Sequence, residues 1–232
     1  VLAQLAAKLL AARNPVIVAG QELALHDAFA EAAELADLLG AAVYQQPIHY
    51  CAQFPSAHPA YMGALTRAQK QVRAALEAYD LLLCLGADLL RMSVYSPVAP
   101  LPEGMPVVHI SERDWELGKN YPTELALRAN VKETLRALLP LLRERRSSAA
   151  AEAAGRRLDA LKLRNWTVLR QKASTEVLRA AETQPIDPGY LMYSISETLP
   201  PDAIVVEEAL TSATSLPGFL HLRDPRCYYG LA

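Results

Sequence analysis

The side chains best placed for chemistry lie just past apolar runs that read as strands. Glu207-Glu208 closes the run Ala203 to Glu207, and Thr211-Ser212 opens the helix expected next. Such a strand-to-helix turn can hold an anion. The first-turn N–H groups, a hydroxyl and the positive end of the helix dipole all favour phosphate there. The same acidic pair reads equally well as a solvated strand end. His49 and His58 fall in an irregular stretch, Pro47 to Met62, with Tyr44, Gln45 and Gln46 close by. They could line a pocket, but their spacing matches no metal pattern, and a catalytic histidine there is the lesser reading. No Ser-His-Asp or Cys-His arrangement assembles from the sequence. His26, at a helix start, and His221, in a polar loop, are expected to be solvated, and His109, in an apolar strand, to be a core residue.

Two turns invite a nucleotide and then argue against one. Ala19-Gly20-Gln21-Glu22-Leu23 carries a single glycine, and Gly86-Ala87-Asp88 is equally short of them. The dinucleotide fingerprint needs several glycines for a tight turn and close backbone approach to pyrophosphate, and no Walker loop is present. Both turns read as structural strand exits. Cys51, Cys84 and Cys227 are far apart and form no CxxC pair. They suit reduced thiols of a cytoplasmic protein, with Cys84 a small core residue.

The elements that would position these groups alternate. Helical spacing from Leu2 to Arg13 stops at Asn14-Pro15. Val16 to Gly20 is a β-branched strand, and Phe29 to Leu39 a helix ended by Gly40. Strands are expected at Ala42 to Gln45, Leu81 to Gly86, Val107 to Ser111 and Leu125 to Arg128, with helices at Arg67 to Tyr79 and Val131 to Arg143. This alternation predicts an α/β fold, a doubly wound Rossmann-like parallel sheet, over residues 1–145. Two irregular stretches, Pro47 to Met62 and Asp88 to Pro106, follow carboxyl ends of strands, where open α/β sheets place ligands. Residues 146–186 read as a linker: a polar break, small residues, then one long connecting helix from Leu158 to Ala181. Residues 187–232 begin a second α/β unit, with a helix at Tyr190 to Leu199 and a strand at Ala203 to Glu207. Too short to complete a sheet, that unit is expected to be poorly anchored or to borrow a partner's surface, because its strand keeps an unpaired edge.

Composition narrows the function. The 232 residues carry a formal net charge of −2, which argues against a basic face neutralising nucleic-acid phosphates. No apolar run reaches the ~18 residues of a membrane span. Val1 already lies in a helical pattern with no initiator Met or signal peptide, and Tyr228 to Ala232 stops in mid-phrase. Both ends read as cuts through a longer protein.

Three stretches carry a family resemblance. They are Asn14-Pro15-Val16-Ile17-Val18-Ala19-Gly20; Tyr79 to Ala87 followed by Pro106-Val107-Val108-His109-Ile110-Ser111; and Pro201 to Glu208 running through Arg223-Asp224-Pro225 to Tyr228-Tyr229. No one phrase is specific, but in this order over the whole chain they resemble thiamine-diphosphate-dependent enzymes of the benzoylformate decarboxylase and acetolactate synthase superfamily. The resemblance implies three α/β domains, of which this chain holds the central one, the linker and the start of the diphosphate-binding domain. It implies thiamine diphosphate and Mg²⁺ as cofactors, a small 2-keto acid as substrate, and a homodimer or homotetramer for the full-length parent.

The family's activating glutamate then belongs to a preceding domain and its Gly-Asp-Gly…Asn metal motif to a segment beyond Ala232, so the fragment alone is expected to be inactive. Leu210 and Thr211 fall where the family contacts the cofactor diphosphate. Ser93 takes the position of a catalytic histidine, and a serine cannot shuttle protons near neutral pH as imidazole does. Gly230 stands where benzoylformate decarboxylases place an aromatic, which puts aromatic specificity in doubt. Acetolactate synthase-like carboligation is the alternative chemistry. Rival readings are a stand-alone module binding a nucleotide such as FAD, and a non-catalytic oligomerisation domain.

Overall fold

The computed structural model describes residues 1–92, 95–209 and 211–230. Helix α1 (Leu2–Ala11) leads into β1 (Pro15–Ala19), followed by the short α2 (Gln21–Leu25) and α3 (Phe29–Leu39). Then come β2 (Ala42–Gln45), β3 (Tyr61–Ala64), α4 (Gln69–Leu76), β4 (Leu81–Leu85), β5 (Val107–Ser111), β6 (Leu125–Arg128) and α5 (Val131–Arg145). The strands form one six-stranded sheet in the order β3-β2-β1-β4-β5-β6, and every pairing is parallel. The chain winds outward from β1 to β3, returns through α4 to β4, and winds outward again. Right-handed crossovers therefore place α4 on the face opposite α3.

β1, β4 and β5 are buried at every position, as strands covered on both faces must be. Ile17 sits between Val43 and Leu83, and Leu83 lies opposite Val108, which fixes the centre of the core. Asp80 accepts from the backbone N–H groups of Arg13 (2.8 Å) and Asn14 (2.9 Å), tying the start of β4 to that of β1.

Three expectations about elements need correction. Strand β3 begins inside the stretch read as irregular. Its Tyr61-Met62-Gly63-Ala64 has no β-branched residue, and a bulge shifts its register on β2 between Val43 and Gln45. Burial of Tyr61 and Met62 outweighs that weak local preference. The single linker helix is two helices, α6 (Ser148–Lys162) and α7 (Trp166–Val177). The second restarts because the Asn165 side chain caps it, accepting from the Val168 N–H at 3.2 Å. The alanine stretch after Ser148, read as a break, is the first half of α6.

The third correction concerns the last segment, which is well anchored. It comprises α8 (Pro188–Thr198), β7 (Val205–Glu207), a 3-10 turn at Ser212–Gly218 and β8 (Tyr228–Gly230), with β7 and β8 parallel. Ser56 N donates to Leu222 O (2.9 Å), and Leu222 N donates back to Ser56 Oγ (2.9 Å). Ala52 N donates to Tyr228 O (3.2 Å) and Gly230 N to Tyr50 O (3.0 Å). The long loop after β2 thus supplies the partners that a short sheet lacks. Trp166 adds an apolar joint, its ring 5.9 Å from that of Tyr61 and 5.3 Å from that of His221.

Candidate functional site

The order of the sheet reverses between β1 and β4, so the crevice outside their carboxyl ends is where a ligand is expected on this fold. Its walls are the turns after β1 and β4. Gly20 is needed there, because a Cβ would run into the backbone of Gly86 and Ala87. That close approach brings Glu22 over Gly86 and leaves the crevice filled by the protein's own side chains. Arg113, just past β5, donates from Nε to Glu22 Oε1 (3.1 Å) and from Nη1 to Asp88 Oδ1 (2.7 Å). Glu22 also accepts from Ser111 Oγ (2.6 Å) and from Glu112 N (3.0 Å). Burial disfavours the guanidinium charge, but the hydrogen bonds to Asp88 and Glu22 outweigh it and hold the Arg113 pKa above its ordinary value. Two carboxylates buried at the switch point would repel a pyrophosphate, which argues against a nucleotide in this crevice.

The ionic cluster extends outward. Gln46 Oε1 accepts from Asp88 N (2.9 Å), and the Tyr50 hydroxyl reaches Asp88 Oδ2 (3.4 Å) while accepting from Arg91 Nη1 (3.0 Å). Burial, with the charge of Asp88 behind it, raises the Tyr50 pKa. Arg91 and Met92 lead into Ser93, which lies outside the described residues. Beside them a cleft of about 490 Å³ opens at the carboxyl ends of β4 and β5, walled by Leu90, Arg91, Met92, Trp115 and Lys119.

The histidines divide. His109 is fully buried in β5 with Nε2 3.2 Å from Ala87 O, as expected of a core residue. His221 is exposed, its ring against Trp166. His26 does not sit free in solvent. It closes the end of α2, and its Nε2 lies 2.9 Å from Glu112 Oε2. His58 pairs with Asp37 at 3.3 Å. His49 stands apart from both, with a buried Nε2 that has no partner, and burial together with Arg67 pushes its pKa down to about 4. The two loop histidines therefore do not converge on one site. Among the described residues, no three His, Cys, Asp or Glu side chains are grouped to hold a metal.

At the second candidate, Glu207 ends β7 and its Oε2 accepts from the Tyr228 hydroxyl at 3.2 Å. Glu208 is exposed at the turn. Thr211 precedes the 3-10 turn, is exposed, and makes no side-chain cap bond. Leu210 lies outside the described residues. No lysine or arginine occurs between Ala203 and Leu222. An anion at this turn would need its charge balanced by groups from elsewhere.

Sequence reasoning missed the Glu22–Arg113–Asp88 cluster. The signal was present: three charged residues, each two or three positions past the end of a strand, on strands that prove to be neighbours.

Comparison with known proteins identifies the family of the chain. The family described as thiamine pyrophosphate enzyme, central domain, matches residues 2–138. Benzoylformate decarboxylase of Pseudomonas aeruginosa is 28% identical over 228 residues, 98% of this chain and 39% of the relative. Sulfoacetaldehyde acetyltransferase of Rhodobacter capsulatus is 28% identical over 212 residues, 86% of this chain and 36% of the relative. Among solved structures, a thiamine diphosphate-dependent 4-hydroxybenzoylformate decarboxylase from Rhodococcus jostii superposes with a TM-score of 0.77 at 25% identity, covering 99% of this chain and 40% of its own. A benzoylformate decarboxylase from Polynucleobacter necessarius has the same fold, with a TM-score of 0.77 at 19% identity over 99% of this chain and 39% of its own. The chain spans about two fifths of the length of the relatives it matches.

Proposed function

Because the chain belongs to the thiamine pyrophosphate enzyme family and carries its central domain over residues 2–138, we propose that it is part of a non-oxidative 2-keto acid decarboxylase. The observation that carries this reading is the extent of the likeness to benzoylformate decarboxylase, which continues through the linker and the last unit over 228 residues. In this proposal residues 1–145 are the central domain, 146–186 the linker and 187–232 the start of the diphosphate-binding domain. Thiamine diphosphate, when bound, would supply a thiazolium ylid as the nucleophile and a cationic ring as the electron sink for loss of CO₂. Thr211, with Leu210, would contact its diphosphate, and Mg²⁺ would balance the charge that this turn does not. The pairing of Glu207 with Tyr228 holds one of the two acidic side chains aside.

Residues 1–232 alone would turn nothing over, since the resemblance assigns both the activating glutamate and the metal ligands to other segments. The whole enzyme would be a homodimer or homotetramer, and its free, buried cysteines suit the cytoplasm. A second reading, transfer of the two-carbon unit to another acceptor, is favoured by the likeness to sulfoacetaldehyde acetyltransferase. A nucleotide-binding module is opposed by the carboxylates that fill the switch-point crevice.

The test is CO₂ release from benzoylformate and pyruvate, with thiamine diphosphate and Mg²⁺, by the complete gene product and by residues 1–232. Turnover by the first and none by the second is expected; turnover by the short chain would overturn the division of labour. In the complete enzyme, Ser93→His should add a titration near ~6.5 to the kcat profile. An unshifted profile in a folded variant would remove the Ser93 loop from the active site.

A further inference from the structure

Resting on that reading, we propose that Tyr50 is a positioning residue, which sets the loop after β4 in register with the unit assigned to the cofactor diphosphate. The backbone at the start of that loop gives the first reason. Leu90 has a φ of 47°, in the left-handed region, and is 1% exposed. Leucine does not favour that conformation as glycine or asparagine does, so the surroundings must hold the turn. Gln46 Oε1 accepts from Asp88 N at 2.9 Å, and Arg113 Nη1 donates to Asp88 Oδ1 at 2.7 Å, which fixes the near side. On the far side the Arg91 side chain is 60% exposed and lies 3.7 Å from Asp88, too far for a direct hydrogen bond. The Tyr50 hydroxyl closes that gap. It accepts from Arg91 Nη1 at 3.0 Å and donates to Asp88 Oδ2 at 3.4 Å, bridging the two charged ends of the turn across Leu90.

The main chain of Tyr50 belongs to the other unit. Its carbonyl accepts from Gly230 N at 3.0 Å, Cys51 forms an antiparallel bridge with Tyr229, and Ala52 N donates to Tyr228 O at 3.2 Å. The approach is close, since a Cβ on Gly230 would lie 2.2 Å from His49 O. One residue therefore grips β8 by its backbone and the loop after β4 by its hydroxyl. The backbone bonds would dock the two units with any residue at this position, and phenylalanine would serve as well as tyrosine. What the hydroxyl adds is a fixed separation between the exit of β4 and the strand pair β7–β8. In the proposed enzyme that separation sets how the loop continuing to Ser93 stands relative to the turn carrying Thr211. A misplacement of about 1 Å between reacting groups can cost about a hundredfold in rate, so such a spacer acts on chemistry without touching substrate.

The test uses the complete enzyme with thiamine diphosphate and Mg²⁺, and with benzoylformate and pyruvate competing in one reaction. Tyr50→Phe keeps the ring and every backbone bond, so it should melt as the parent sequence does. Its kcat should fall about tenfold, and the ratio of kcat/KM for the two keto acids should shift about threefold or more. That ratio does not depend on how much of the enzyme is folded, so a purely structural role would leave it where it was. Arg91→Ala, at an exposed position, should shift the ratio in the same direction. The double variant should be no worse than the poorer single one, because both changes break one contact. Without cofactor, amide exchange at residues 89–92 should quicken in Tyr50→Phe while β8 keeps its protection. An unmoved ratio, additive losses in the double variant, or unchanged exchange at residues 89–92 would each overturn the role of Tyr50 and leave the decarboxylase reading standing. No turnover of either keto acid by the parent sequence would overturn that reading, and the role of Tyr50 with it.

Discussion

Arg113 bridges Glu22 and Asp88, whose side chains are only 4% and 6% exposed. Removing a buried pair's partner leaves an uncompensated charge, so Arg113→Met is expected to cost about 3–5 kcal/mol in urea unfolding. The control is Arg113→Met combined with Glu22→Gln and Asp88→Asn, which should recover much of that loss. His49 gives a pH prediction of definite sign. In the folded protein burial and Arg67 hold its pKa at about 4, against 6.5 for an ordinary imidazole. Between those values the unfolded chain takes up a proton that the folded protein refuses. Stability is therefore full above about 6.5 and falls as pH drops towards about 4, by about 3 kcal/mol for this residue. His58, His109 and His221 are also lowered by burial and act in the same direction. Urea midpoints measured at about pH 7 and about pH 5 should differ less for His49→Gln than for the parent sequence, and equal slopes would remove His49 from the account.

At the scale of elements, the linker is latched to the central sheet by arginines at the end of α3. Arg157 Nη2 donates to Leu39 O (2.5 Å) and Nη1 to Arg13 O (3.0 Å), while Arg146 Nη1 donates to Leu38 O (3.1 Å). Leu38 and Leu39 offer carbonyls that the C-terminus of α3 leaves without intrahelical partners. Gly40 makes the approach possible: its φ is 57°, and a Cβ there would strike the backbone of Ala154 in α6. Gly40→Ala should cost more than about 1 kcal/mol and speed amide exchange in α6 before α3. Unchanged exchange in α6 would mean the helix is held elsewhere.

The strands of the central sheet were legible in the sequence because Val16-Ile17-Val18, Leu81 to Leu85 and Val107-Val108 are dense apolar runs whose burial settles their state. β3 and β8 were not: β3 has no β-branched residue, β8 is only three residues long, and both form strands only against partners distant in sequence. The Asn165 cap shows the opposite failure. Its signal is local, but an apolar pattern running across it reads as one continuous helix. The ionic cluster was hidden for a third reason: each of its three residues is ordinary in its own turn, and only the sheet order brings them together.

The whole molecule is joined through the loop between β2 and β3. Ser56 both accepts from and donates to Leu222, so the last unit hangs from it by a reciprocal pair of bonds. Ser56→Ala leaves the buried Leu222 N–H without its acceptor, a loss of about 1–3 kcal/mol. Hydrogen exchange should then quicken in residues 216–230 while β1 and β4 keep their protection. Uniform quickening would mean that the two parts unfold as one.

That same loop bears on how the sequence can vary over time. Connecting segments usually tolerate inserted residues, because their backbone is solvated and their tips are loosely held. Here Ile48, Cys51, Ala52, Gln53, Phe54 and Ser56 are buried. Tyr50 accepts from Gly230 N at 3.0 Å through its carbonyl and from Arg91 Nη1 at 3.0 Å through its hydroxyl. A residue added between Gln46 and Ser56 would move one of those attachments out of reach of the other. Length change in this family member should therefore gather in surface turns such as Pro102 to Met105, while residues 46–56 keep a constant count.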